Sequence, residues 1–484
     1  MKNSKKKVTQ NCAPHETNKV PKKVKDHLKP IVQKLLNQCS NSKVLSRKLE
    51  WDEMKANCAL LQTIQELEKK YHFPATDRSQ HWEKFYEWCS EHGAKFSCVK
   101  VKEISDGNFG VVAEEDIKEH EPFLTIPRKM MMSEISAKNS KLGPLISKDP
   151  ILQHMPNIQL AMHLLMEYLN PDSFWKPYIS ILPSTFDTVL YFTLEELQEL
   201  QGSPVLDEVF KLLRSVARQY CYFFQLFQND SYAKSLNIGQ YFTYDLYRWA
   251  VSAVMTRQNV IPSADGSQQV TSLVPFFDMC NHINGKLSTD FNLEQDSLIS
   301  YACQQFLKGE EVCMFYGPRT NAEFFAHNGF VYLDNENDAV EIKLGISKSD
   351  PLSVPKTELC EIMNINLSDH FYIHKGNIIS EKLLTFLKIN VMKEEEQEIV
   401  LRNKQDCSSS MFEKFPDLNR RALLYLKDRL FLLLKCYRTT LQEDEDLLRS
   451  SVPESNRLHL ALQLRLSEKR ILSDAYKYCE ENTL

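Results

Sequence analysis

Two short segments hold the residue types best suited to orienting a reaction. The first, Leu273 to Gly285, reads LVPFFDMCNHING and sets an amide beside an imidazole in Asn281-His282. The second, Glu311 to Asn321, reads EVCMFYGPRTN and carries the phenol of Tyr316. An isolated Asn-His dipeptide means nothing and Phe-Tyr-Gly is common in β proteins, so the weight lies in their order and spacing. Cys280 and His282 imitate a metal pair, but two ligands one residue apart without a third partner make a poor site, and no metal is expected. Gly107-Asn108-Phe109-Gly110 falls between two strand-like runs, where glycine lets the backbone approach a ligand closely; an ordinary hairpin turn reads the same way. Asn259, shortly before Pro262, has the local context of a turn residue. Its amide could equally hydrogen-bond one nitrogen of an imidazole and leave the other free to react. Arg78 alone would pass as a solvated surface charge.

The elements around these residues change period along the chain. Apolar residues at helical spacing (Leu35, Leu36, then Leu60, Leu61, Ile64, Leu67) predict helices between residues 31 and 95. From Phe96 the pattern alternates: Val99 and Val101 against Lys100 and Lys102, a turn at Asp106 to Gly110, a run from Val111 to Ala113, and a short strand from Pro122 stopped by Pro127. Helical spacing returns from about 136 to 241, notably Leu160, Ala161, Leu164, Leu165 and Tyr168 on one face, with His163 expected to be a hydrogen-bonded structural histidine. Strand character reappears at Ser272 to Phe276 and Glu311 to Phe315. Beyond Ile346 helices dominate. Asn419 is a candidate N-cap ahead of a Leu423, Leu426, Leu430, Leu433, Tyr437 stripe, and Pro453 opens another helix with Leu458, Leu462 and Leu466. The expected fold class is α+β: small sheets split by a helical insertion (96–335), then an all-α domain over 346–484.

Composition narrows the class. The 484 residues are 43% hydrophobic and 10% aromatic, which excludes a largely disordered protein and predicts more than one domain. A formal net charge of -5 offers no general field for nucleic acid. Thirteen cysteines run from Cys12 to Cys479 with no CxxC pair, as expected of reduced cytosolic thiols. No apolar run approaches the roughly 20 residues of a membrane span. The Lys-rich residues 1–30 are expected to stay flexible, and VPKKVKD at Val20 to Asp26 resembles a nuclear import signal. A cytoplasmic monomer is the expectation, with the nucleus as the alternative compartment.

Taken in order, the Gly107 turn, Asn281-His282 and Tyr316 resemble the SET methyltransferases. SFWKPYISILPSTFDTVLYF, from Ser173 to Phe192, is similar to the signature of members in which a helical insertion splits the catalytic domain and a Rubisco-methyltransferase-like domain follows. AKNSKLGP (Ala137 to Pro144), ARQY (Ala217 to Tyr220), YRWAVSAVMTRQN (Tyr247 to Asn259) and DMCNH (Asp278 to His282) resemble, nearly word for word, the members that methylate a histidine of actin. The likeness covers about Arg78 to the C-terminus. It implies S-adenosyl-L-methionine as cofactor, held by Arg78, Gly107, Asn108, Phe109, Arg257, Asp278, Met279, Cys280, Asn281, His282, Asn328, Gly329 and Phe330. Arg78 or Arg257 would pair with its carboxylate. The resemblance also implies Tyr316 and Asn259 as catalytic residues, Asn259, Phe277, Arg218 and Arg319 as substrate-binding residues, actin as protein partner, and transfer to the tele ring nitrogen of a histidine. A SET lysine methyltransferase and a silent actin- or peptide-binding module are the alternatives. Where the resembled members have Trp, this chain has Phe277, which predicts a wider pocket with one fewer donor.

Overall fold

The computed structural model describes residues 18–41, 46–71, 77–105, 107–366, 368–376, 378–402, 409–450 and 455–483. Most of the lysine-rich run, Asp106 and Pro453 lie outside them. The chain divides into two compact units, one of Met1–Tyr191 with Phe210–Gly317 and one of Phe192–Val209 with Pro318–Leu484.

In the first unit β1 (Val99–Ser105) and β2 (Asn108–Ala113) form an antiparallel hairpin. Val99 and Val101 are buried and Lys100 and Lys102 exposed, as a period of two requires. Gly107 has φ +73, a sign that glycine adopts without a Cβ penalty, and this lets the hairpin close. The remaining strands are β3 (Pro122–Pro127), β4 (Met132–Ser133), β5 (Gln258–Pro262), β6 (Gln269–Leu273), β7 (Thr289–Asn292) and β8 (Ser297–Tyr301). They make two antiparallel sheets, ordered β3-β8-β7 and β4-β6-β5. β6 stops at Leu273, short of the expected Phe276, because Phe276 turns the chain with φ 70. The Glu311 to Phe315 segment makes only single bridges, Val112 to Glu311 and His282 to Met314.

Helices fill the interval between β4 and β5, from Glu134–Lys138 to Tyr244–Arg257. The insertion thus runs past the expected residue 241. The Thr243 hydroxyl accepts from the Leu246 amide (3.2 Å) and caps the last helix, while buried Glu68 accepts from the Tyr244 amide (2.8 Å) and from the Tyr220 hydroxyl (2.6 Å). This helix passes directly into β5, which puts Arg257 on its last turn and Asn259 one residue into the strand. His163 departs from expectation. It is buried with an edge-on Trp175 at 5.4 Å, yet neither ring nitrogen has a hydrogen-bond partner. Burial pushes its pKa down to about 4, so the ring stays neutral and the cost is that of an unpaired amine rather than a charge. The expected flexible tail also ends early: a helix begins at Lys22 and runs to Cys39, because Leu28, Val32, Leu35 and Cys39 share a buried stripe.

The second unit is mostly helical, with β9 (Ala339–Gly345) and β10 (Ser368–His374) as an antiparallel pair. β10 is the exception to the all-helical expectation; Phe371 and Ile373 are buried there while Tyr372 between them is 43% exposed. The helix Leu418–Cys436 starts one residue before Asn419, which therefore lies in its first turn. The helix Asn456–Glu481 is capped by Ser455, whose hydroxyl accepts from Leu458. Phe192–Val209, expected in the catalytic insertion, packs here instead. Glu196 pairs with Arg457 (3.0 Å), Glu199 with Arg465, and the Ser203 hydroxyl donates to Glu468 (2.7 Å).

Candidate active site

The two motif segments meet as a short parallel ladder. The Met314 amide donates to Asn281 O (2.8 Å) and the Ile283 amide to Met314 O (3.0 Å). Tyr316 is then held twice: its amide donates to His282 Nδ1 (3.2 Å) and its hydroxyl to Cys280 O (2.6 Å). A ring nitrogen that accepts carries no proton, so His282 is neutral with its proton on Nε2. Its ring sits 5.3 Å from that of Tyr316. Burial pushes the Tyr316 phenol well above the ordinary tyrosine range, so it stays protonated and works as a hydrogen-bonding group rather than as a base. Cys280 is buried with its thiol raised in the same way, and among the described residues no cluster could hold a metal.

Beside this ladder lies a cluster of polar groups. The Asn281 amide nitrogen donates to Glu311 Oε1 (2.6 Å) and points toward Phe109 O (3.5 Å). Gly110 makes room for that pair, since a Cβ there would stand 3.0 Å from Asn281 Nδ2 and closer still to Glu311 Oε1. Gly110→Ala should therefore displace Asn281 at about 1 to 3 kcal/mol of crowding. The expected result is cofactor binding weakened roughly ten-fold in calorimetry together with a lowered melting temperature; unchanged affinity would remove Asn281 from the working parts of the site.

Arg78 lies in a 3-10 turn capped by the Asp77 side chain. Its Nε donates to Ile181 O (2.7 Å), and the guanidinium lies 4.7 Å from the Phe109 ring centroid and 5.7 Å from that of Trp82. The Tyr178 hydroxyl donates to Asp278 Oδ2. Burial pushes the Asp278 carboxyl up to about 6, although Arg257, the Tyr178 hydrogen bond and Arg78 all pull it down. Burial, with the like charge of Arg257, brings Arg78 down to about 10 against the pull of Asp278. Two buried polar atoms remain unpaired, Asp278 Oδ1 and Arg257 Nε. An unpaired acceptor and an unpaired donor in one buried cluster with two guanidiniums could take an amino-acid headgroup, its ammonium on Asp278 and its carboxylate on Arg78 and Arg257. That is the polar end of the expected cofactor.

On the substrate side, the Asn259 amide nitrogen donates to Arg257 O (3.0 Å) from the edge strand β5. Phe277 is buried in the turn leading to Asp278. Arg218 is exposed on the helix Leu206–Asn229, and no described hydrogen bond or ion pair joins it to Asn259 or Tyr316. Arg319, Asn328, Gly329 and Phe330 belong to the second unit. There Arg319 donates to Asn328 Oδ1 (3.2 Å), Gly329 ends a π turn at φ 78, and Phe330 stacks on Phe324 at 4.7 Å. Sequence reasoning missed Tyr178 and Glu311. Tyr178 lies inside the Ser173 to Phe192 signature and Glu311 opens the second motif, so a search for partners of Asp278 and Asn281 had both in view.

A SET domain model matches residues 108–317 and a Rubisco LSMT substrate-binding model matches residues 347–472. The human actin-histidine N-methyltransferase is 42% identical over 460 residues, covering 93% of this chain and 77% of that protein. The mouse protein of the same name is 42% identical over 461 residues, with the same coverage. A structure of Rubisco LSMT bound to AdoMet aligns with a TM-score of 0.67 at 24% identity, covering 83% of this chain and 92% of that one. A second, bound to sinefungin and monomethyllysine, aligns equally well at 23% identity; at such identities the likeness speaks for the fold. The ladder, the polar cluster and the two domain matches agree, and the chain belongs to the SET-domain methyltransferases, in the branch named actin-histidine N-methyltransferase.

Proposed function

We propose that this protein methylates a histidine ring nitrogen of actin, using S-adenosylmethionine. When bound, S-adenosylmethionine supplies a methyl group activated on a sulfonium. Arg78, Arg257 and Asp278 would hold its amino-acid end, and Gly107 to Phe109 with Asn281 and His282 would line the rest. The observation that carries the histidine reading is the Asn259 amide. With its nitrogen donating to Arg257 O, the side-chain oxygen is the group left to accept. An imidazole N–H donating to that oxygen fixes the tautomer with the proton on Nδ1, so the lone pair of Nε2 is the nucleophile. As Nε2 gains the methyl group the ring becomes cationic, and the hydrogen bond to Asn259 strengthens while charge develops. The Nδ1 proton then leaves to solvent.

A lysine would first have to lose a proton, costing about 4.6 kcal/mol at pH 7 from the ordinary lysine value near 10.4. Tyr316 is protonated and donating, so it is no base for that step. Incubation of the purified protein with labelled cofactor and actin should place the label on histidine by mass spectrometry. Label found only on lysine would restore the lysine enzyme, and cofactor binding without any transfer would favour a binding module.

Tyr316→Phe removes the hydroxyl and leaves Cys280 O without its donor, at about 1 to 3 kcal/mol for a buried group. Single-turnover methylation should slow about ten-fold or more. A wild-type rate would show that the ring alone is sufficient.

A further inference from the structure

A cleft of about 490 Å³ in the first unit is lined by His92, Lys95, Arg128, Lys129, Gln295 and Asp296, none of which the methyl-transfer site uses. Its walls are fixed. Lys95 and Thr125 exchange both backbone hydrogen bonds at 2.9 Å. Arg128 is fully engaged: Nε donates to Asp296 Oδ1 (2.5 Å), Nη1 to Pro262 O (2.5 Å), and the guanidinium lies 4.4 Å from the Phe291 centroid. Asp296 is thereby neutralised. Lys95 and Lys129 are exposed, and among the described residues neither has a carboxylate partner. Two ammonium groups on long side chains thus face one rigid cleft on a chain whose net charge is -5. Beside them His92 holds Nδ1 against Trp88 O (2.8 Å) and meets the edge of Phe174, which is 39% exposed, at 4.9 Å.

We propose that this cleft is a docking site for an acidic segment of another protein, seated with carboxylates on Lys95 and Lys129 and side-chain stems against Phe174. Charge complementarity selects the occupant. With Arg128 and Asp296 paired to each other, Lys95 and Lys129 leave the cleft locally positive, and that charge attracts a chain rich in carboxylates. Nucleic acid fits less well, because two available cations cannot track a run of phosphates and the lining holds no aromatic face for a base beyond His92.

The test uses the full chain and a fluorescein-labelled decapeptide of alternating Glu and Ser, read by fluorescence anisotropy at low salt. Saturable binding is expected, weakening as salt shortens the reach of the charges. The double variant Lys95→Glu, Lys129→Glu should weaken it about ten-fold or more, while Lys95→Arg with Lys129→Arg should retain it. Cofactor affinity, measured in the same samples, should be wild type in both variants and so report folding independently of actin methylation. No saturable binding would overturn the proposal, as would equal binding by the Glu variant. Tighter, Lys95- and Lys129-dependent binding of oligo-dT or of phosphatidylserine vesicles would overturn it in favour of nucleic acid or membrane.

Discussion

Asn259→Phe is expected to slow methylation of a histidine-containing peptide by roughly ten-fold or more while the matched lysine peptide becomes a relatively better substrate. The side chain sits near the start of β5, tied to Arg257 O, and its oxygen is the acceptor proposed to select the imidazole tautomer. Losing that bond costs about 1 to 3 kcal/mol if it is buried in the complex. The phenyl ring that replaces it cannot accept a hydrogen bond but can flank the aliphatic stem of a lysine. Rates on the two peptides for wild type and variant give the ratio directly. An unchanged ratio would detach Asn259 from specificity and return the lysine enzyme to the lead.

What the sequence disclosed and what it withheld divide along a physical line. Local constraints were legible. Gly107 marks a hairpin because a positive φ there costs nothing, whereas β5 is not legible, because Asn259 shortly before Pro262 reads as a turn and only pairing with β6 makes it a strand. Asn281-His282 and Tyr316 were legible as a pair only through a resemblance, since nothing in their spacing specifies the backbone bridge between His282 and Met314. Long-range pairings were not legible. Tyr178 and Asp278 are far apart in sequence, and Phe192–Val209 joins the second unit through ion pairs with Arg457 and Arg465 that no periodicity announces. Phe276 was hidden for the opposite reason. A φ of 70 is disfavoured for a bulky residue, so local propensity argued for continued strand; packing of its ring against Phe85 (5.9 Å) and Phe96 (4.9 Å) overrides it. β10 escaped notice because its alternation lies within a region of helical composition.

Asp278→Asn should weaken cofactor binding about 100-fold, some 2.8 kcal/mol, without destabilising the protein. The carboxylate is the acceptor proposed for the cofactor's ammonium, and a neutral amide oxygen loses the charge in that contact. In the free protein the balance runs the other way. Burial raises the Asp278 pKa from an ordinary 3.8 to about 6, so its contribution to stability is fully present below the unfolded value and is lost as pH rises through 6. At neutral pH the ionised group, with Oδ1 unpaired, is a cost that binding offsets. Asparagine removes that cost and can still accept from the Tyr178 hydroxyl, so the ligand-free variant should melt at or above the wild-type temperature at pH 7 to 8. The same reasoning fixes the sign of the pH dependence. Wild-type affinity should fall as pH drops below about 6 and Asp278 takes up a proton, whereas the variant should lack that acidic limb. Calorimetric titration of S-adenosylmethionine from pH 5 to 8 reads both effects. An acidic limb that persists in Asp278→Asn would assign the titration to another group, and a variant that melts well below wild type would make Asp278 part of the scaffold.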